Sequence, residues 1–407
     1  MKAEILHSDE YSDEVKFAIS LAQDMLQYGI PSHRIEDSLE KLCQKLDVDA
    51  DFLVHSGAIF VSIQENSQYK QFMYKPKKID IDLERLILLD RLAINVVKGK
   101  VSCKEALEEM HLIENLSERY PGWAHFLAFV FSSGAAAILF GGGIAELLVA
   151  GLSGMLIVFT NMLTGSNREL NKLFILISAF IAMGMAELGA LIFPDLNVGI
   201  ASVTGMIVLI PGFSFTIGMT ELATGHPISG TSRISNAMVT FLMIGFGIAL
   251  ASYIIDHLGL SFNQYQFYSI PKSSFWLALL VVPIGFTILF KARWQDLKWI
   301  IIICLTSFLS TKIPIESVQL SSFASALIVG LVSNIFARIL NQPAILMLVP
   351  GIIILVPGSI GFSSITTMLD NQTMEAISTA LKMIFIAISL AAGLIASNVI
   401  VPSKRPL

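Results

Sequence analysis

Two Pro-Gly pairs inside apolar runs are the clearest chemical feature of this 407-residue chain: Pro211-Gly212 in IVLIPGFSF and Pro357-Gly358 in IIILVPGSI. Proline has no backbone N–H and its ring clashes with the preceding turn, so each pair opens a helix. Within hydrocarbon no water is present to satisfy the freed N–H and C=O groups, and such an opening is tolerated where it lines a cavity or is satisfied by neighbouring protein. The positive end of the half-helix that follows can hold a carboxylate, while freed carbonyls can hold an ammonium group or a cation. Ser214, Thr216 and Thr220 after the first break, and Ser359 and Ser363 after the second, add hydroxyl contacts. That chemistry is reversible binding of a small solute with both charges, such as an amino acid. The plainer alternative is a proline kink of the kind membrane helices tolerate.

Ionisable groups within apolar runs are the next candidates, because a charge in a bilayer is costly and by default marks function. Glu187, between apolar neighbours, is the first choice for a proton-coupling carboxylate; Glu146 is a second, unless it reaches the outer interface. Lys382 is placed either to extend its amine outward or to pair with a carboxylate such as Glu187. Nearer the start, PSHRIED sets Ser32, His33, Arg34, Glu36 and Asp37 on one helix start, with His33 and Asp37 a turn apart. It reads as an anion site, as an acid/base pair, or as a solvated face with local ion pairs. His55 is similarly open. No nucleophile, phosphate-loop or metal-ligand spacing accompanies them, and neither a metal nor a cofactor is expected. Cys43, Cys103 and Cys304 lie far apart without a CxxC spacing, which fits reduced thiols.

The elements that must position these groups follow from composition. The chain is 54% hydrophobic and 14% charged, with a mean hydropathy of +0.70, values of an integral membrane protein. Of the 27 Lys+Arg and 32 Asp+Glu, 15 and 22 fall within the first 120 residues. A soluble domain over residues 1–118 is therefore expected before a membrane domain. It reads as α+β, with helices over 13–28, from 31, over 82–99 and over 103–118, and strands over 52–64 and 69–74. The first residues lack the basic start and apolar core of a signal peptide, so this domain is expected in the cytoplasm.

A bilayer core requires roughly 20 apolar residues per helix. The remainder divides into ten segments, near 124–140, 144–164, 172–193, 197–219, 233–255, 275–291, 296–311, 317–337, 343–362 and 376–401. With the first domain inside, the inside loops hold Arg168, Lys172, Arg233, Lys291, Arg293, Lys298, Arg338, Lys404 and Arg405, and the outside loops hold Lys272 and Lys312. That asymmetry supports the orientation and puts both termini inside. TGMIVLIPG (204–212) aligns with PGIIILVPG (350–358) at an offset of 146, and AILFGGGIAEL (137–147) with TILFKARWQDL (287–297) at 150. Two five-helix repeats, 119–257 and 258–407, follow. Because five is odd, the second copy enters the membrane from the opposite side, an inverted arrangement found mainly in transporters.

The PSHRIE helix start, the YPGW sequence before the first span, and the two Pro-Gly breaks together resemble the bacterial threonine/serine exporter family, from about residue 15 to the C-terminus. The loop ELATGHPISGTSR also fits the family pattern through Glu221, Gly225, Gly230 and Arg233, although His226-Pro227 departs from the polar or acidic residues expected after the first glycine. The resemblance implies a multi-pass protein of the bacterial cell membrane that exports small hydroxy amino acids, driven by the proton motive force. Its expected partners are threonine or serine, protons, the bilayer and, as an open question, further copies of the chain; no nucleic-acid partner is implied. Some relatives handle small dicarboxylates, the alternative substrate class. A membrane-anchored enzyme using His33, Glu36 or His55, and a channel, are the remaining alternatives; no ring of charged pore residues supports the latter.

Overall fold

A computed structural model of the protein describes residues 11–65, 68–76, 78–165, 167–259, 272–369 and 372–402. Lys404 and Arg405 lie outside the described residues. Helix α1 (Asp13–Gln27) starts where the Ser12 hydroxyl accepts the Val15 N–H. Its stripe of Val15, Ile19, Ala22, Met25 and Leu26 is buried, and Gly29, at φ +86°, ends the turn beyond it. Helix α2 (Ser32–Leu46) begins directly after an extended Pro31. The single strand expected over 52–64 is a hairpin instead: β1 (Ala50–His55) and β2 (Ala58–Glu65) pair antiparallel around Ser56-Gly57, with His55 opposite Ala58. The apolar runs 52–54 and 58–61 are separated by only three residues, and the turn between the strands is two residues long, so together they read as one strand. Strand β3 (Gln68–Tyr74) completes a three-stranded sheet of order β1-β2-β3. Helices α3 (Leu83–Val97) and α4 (Cys103–Glu114) close the N-terminal region, α4 through a Ser102/Glu105 capping box.

The rest is helical: α5 (Gly122–Leu139), α6 (Ile144–Thr164), short α7 (Arg168–Lys172), α8 (Phe174–Ile192), α9 (Val198–Gly205), α10 (Gly212–Ala223), α11 (Pro227–His257), α12 (Lys272–Leu289), α13 (Leu297–Ser310), α14 (Val318–Leu340), α15 (Ile345–Leu355), α16 (Gly358–Leu369) and α17 (Thr373–Ile400). Each of the ten expected segments is helical. By length and apolarity, seven helices among the described residues can cross a bilayer, or eight if the bent pair α9 and Ile207–Ala223 is one span. The apolar part of α12 (Phe275–Leu289) and the 14-residue α13 are shorter than that standard. This is a multi-pass helical membrane protein with a small N-terminal region of helices and three strands.

Packing partners recur in matched sets. Helix α5 packs on α6 as α12 packs on α13, and α6 on α8 as α13 on α14. Helix α8 packs on α11 as α14 packs on α17, while α10 meets α17 as α16 meets α11. The turns ending α5 and α12 also match. Gly141 (φ +87°) and Lys291 (φ +52°) are left-handed, with Gly142 N–H on Ala137 O and Ala292 N–H on Thr287 O, both at 2.8 Å. Lys291 adopts that conformation at a cost of about 1 kcal/mol.

Both breaks exist. The first comprises a tight turn at Ile207–Leu209 and Pro211, and bends the chain by 57°. At the second, Val356 is extended before Pro357, although Ile345–Leu369 passes as one span of 25 residues. The two breaks touch. A Cβ on Gly212 would lie 2.9 Å from Gly358 Cα and collide with the Val356 side chain; one on Gly358 would lie 2.9 Å from Ile210 Cγ2 and 3.6 Å from Gly212 Cα. The close approach of the two backbones at this crossing requires the bare Gly212, whereas a side chain on Gly358 would press on Ile210.

Candidate functional site: two cavities flanking crossed helix breaks

A cavity of about 280 Å³ lies on one side of this crossing. Phe213, Ile217, Thr220 and Thr224 of α10 form one wall, Ile345 to Ile352 of α15 another, and Leu394, Ser397 and Asn398 of α17 a third. Its roof is the start of α2: Pro31, His33, Arg34 and Asp37. A second cavity, about 410 Å³, is lined by Pro357 and Ser359 after the second break, by Ile386 and Leu390 of α17, and by Thr311, Ile313 and Ser321 around the α13–α14 connection. An apolar cluster stands between them, in which Ile352 and Leu394 from the first cavity pack with Leu355, Val356, Ile386 and Leu390 from the second.

The roof is held by buried polar contacts. The Glu221 carboxylate, fully buried at the end of α10, accepts the Ser32 N–H on one oxygen and Arg233 Nε on the other, both at 2.9 Å. Glu36 accepts the Val54 N–H at 2.6 Å and contacts His226 Nε2 at 2.8 Å. The Ser229 hydroxyl donates to Val54 O at 2.9 Å, and Ser56 donates to Ser232 at the same distance. Ser32 and Glu36 thus join the N-terminal region to the α10–α11 loop, and His226 takes part in that joint. A second joint forms where the α12–α13 turn meets the same region: Leu83 N–H donates to Phe290 O at 3.0 Å, Tyr120 Oη to Ala292 O at 2.5 Å, and Lys291 pairs with Asp80 at 3.3 Å.

His33 and Arg34 remain for the cavity. Burial, aided by the positive charges of Arg34 and Arg233 and by His226, lowers the His33 pKa to about 3, so the ring is neutral near neutral pH. Its Nδ1 is buried without a hydrogen-bond partner. Arg34 lies deep in the protein, yet keeps accessible surface because it faces the cavity. Burial holds its pKa below the usual arginine range and the nearby Asp37 carboxylate opposes that. Among the described residues its guanidinium has neither an ion pair nor a hydrogen bond.

The other expected residues are spread more widely. Thr220 lines the first cavity, and Pro357 and Ser359 the second. Pro211, Gly212 and Gly358 form the crossing, and Ser214 and Thr216 line neither cavity; the Thr216 hydroxyl is buried without a partner. Glu187 accepts a hydrogen bond from Ser252 of α11 at 2.6 Å and lies outside both linings. Both Glu146 oxygens receive backbone N–H groups, from Gly143 and from Asn197, the latter at 2.6 Å. Lys382 is exposed, with no ion pair among the described residues. Phe213 and Asn398 were missed by sequence reasoning. Asn398 accepts from Asn334 at 2.8 Å, and a lone amide late in an apolar run was the available signal. Among the described residues no cluster of three or more His, Cys, Asp or Glu could hold a metal ion, and all three cysteines are free and buried.

The family model of a threonine/serine exporter matches residues 16–255, and a second, described as "Threonine/Serine exporter, ThrE", matches residues 275–400. Pheromone-regulated membrane protein 10 of Kluyveromyces lactis is 23% identical over 97% of this chain and 44% of its own length. The proteins of that name from Eremothecium gossypii and Saccharomyces cerevisiae are 23% and 22% identical over 97% of this chain, covering 57% and 55% of theirs. The chain thus spans about half the length of the curated relatives it matches. No solved structure matches it. With both models placed along a helical membrane protein whose signature residues join its two regions, the chain belongs to the threonine/serine exporter family.

Proposed function

We propose that this protein is a secondary transporter that exports threonine or serine from the cytoplasm by alternating access, with ten spans arranged as two inverted five-helix repeats. The matched packing sets, the matched turns at Gly141 and Lys291, and the paired Pro-Gly breaks support the repeat. One observation carries the transport reading: two cavities lie on either side of the crossed breaks with an apolar plug between them. Such an arrangement holds a solute route closed at mid-depth, and rocking one repeat against the other transfers access from one cavity to the other. The first cavity lies beneath the N-terminal region. The second lies by the α13–α14 connection, on the side that the basic residues put outside.

The substrate is bound by groups that line the two cavities, with Thr220 offering a hydroxyl in the first and Ser359 in the second. Glu187 is the proton-coupling carboxylate in this reading, since it sits inside a span on a single hydroxyl partner. Glu146 acts instead as a cap, its oxygens occupied by backbone. Counterflow of labelled L-threonine in proteoliposomes, with and without a pH gradient, tests the reading. Exchange of threonine or serine, accelerated by the gradient, is expected; exchange of succinate but of neither amino acid overturns the substrate, and no exchange of any solute overturns transport.

A further inference from the structure

We infer that the cavity beneath α2 is an entry site for a small α-amino acid zwitterion, in which Arg34 holds the carboxylate and Asp37, at the mouth, holds the ammonium group. The inference deepens the export reading above and rests on it for the direction of travel, though not for the binding itself. Four observations carry it. Arg34 faces the cavity without an ion pair or hydrogen bond among the described residues, and a guanidinium in a confined, weakly solvated space needs an anion. Asp37, one turn further along α2, lies on the same cavity and presents a negative charge where solvent enters. His33 brings a buried nitrogen that has no partner, and does so without adding charge. The opposite wall supplies Thr220 and Thr224, whose hydroxyls already donate to helix carbonyls at 3.0 and 2.9 Å and so keep lone pairs for a ligand's O–H or N–H.

The two signs of charge select the ligand class. A dicarboxylate would find one cation and a repelling Asp37, whereas a zwitterion satisfies both. The volume of about 280 Å³, with apolar walls from Ile217, Leu348 and Ile352, favours a short side chain. Ser32 and Glu36 serve the joint with the α10–α11 loop, so one helix start divides its signature between anchoring and recognition.

The test uses equilibrium binding of labelled L-threonine to the full-length protein in detergent, with competition by threonine methyl ester, N-acetyl-threonine and succinate. In the native protein, threonine should compete best, because the ester lacks the carboxylate and the acetylated compound lacks the ammonium group. Arg34→Gln should weaken threonine binding about tenfold or more, the worth of a charge-assisted pair, and Arg34→Lys should recover part of it. Asp37→Asn should weaken threonine while leaving N-acetyl-threonine unchanged. His226→Ala loosens the roof without touching either charge, so it should preserve the order of competitors and controls for general disturbance. Unchanged threonine affinity in folded Arg34→Gln, or succinate outcompeting threonine, overturns the assignment. Counterflow on the same preparation separates the two readings: binding with this pattern but no exchange keeps the site and removes transport, and exchange with unaltered Arg34→Gln affinity does the reverse.

Discussion

Glu221 shows how much depends on single side chains here. Its carboxylate, with no exposed surface, satisfies a backbone N–H from α2 and the Arg233 guanidinium from α11. Glu221→Ala leaves both donors without their acceptor, and a loss of about 2 kcal/mol is expected, visible as a lower Tm. His33 makes a different prediction. Its folded pKa of about 3 lies below the ordinary value of 6.5, so between those values the unfolded chain binds the extra proton. Stability from this group is therefore full above pH 6.5 and is lost as pH falls toward 3. His33→Gln should flatten the acid side of a Tm–pH profile, and an unchanged slope would show that the ring is not held neutral. Glu187→Gln should abolish the response of threonine flux to a pH gradient in proteoliposomes; a retained response removes Glu187 from coupling. What local sequence could reveal at this scale was residue type. That Ser32 meets Glu221, 189 positions away, and that His226 completes the joint through Glu36, depends on folded distance and leaves no local signature.

The helices were legible because their physics is local: long apolar runs, bounded by Gly, Asn and Pro, can do little else in a bilayer. Prolines 211 and 357 likewise announced the breaks, since a missing N–H acts wherever it sits. The β1–β2 hairpin was not legible, because Ser56-Gly57 separates two short apolar runs too briefly to show. Nor was the different severity of the two breaks, which depends on what packs around them: one bends by 57°, while the other lies within a single span. Restoring helix at these points is the corresponding test. Replacing Pro211-Gly212 with Ala-Leu should abolish threonine counterflow, because the leucine would occupy space that Val356 and Gly358 now fill. Wild-type exchange in that variant would reduce the break to a kink.

At the level of the whole molecule, the N-terminal region is packed on the membrane helices as part of one fold. A single hydrophobic cluster runs from Phe17, Leu39 and Leu86 in that region to Ile300, Ile303 and Leu346 in the membrane helices. Polar joints flank it at the α10–α11 loop and the α12–α13 turn. The region is thus placed to influence what reaches the first cavity, and expressing the membrane helices without it should expose apolar surface and lower yield and Tm.

Gly212 and Gly358 bear directly on one another, carbon against carbon, with no side chain to cushion the contact. In the alternating-access reading proposed above, a displacement at either glycine presses on its counterpart as one gear tooth presses on the next. Damage to the bearing should therefore be felt once, so that Gly212→Ala and Gly358→Ala, each harmful alone, cost little more when combined than the worse of the two.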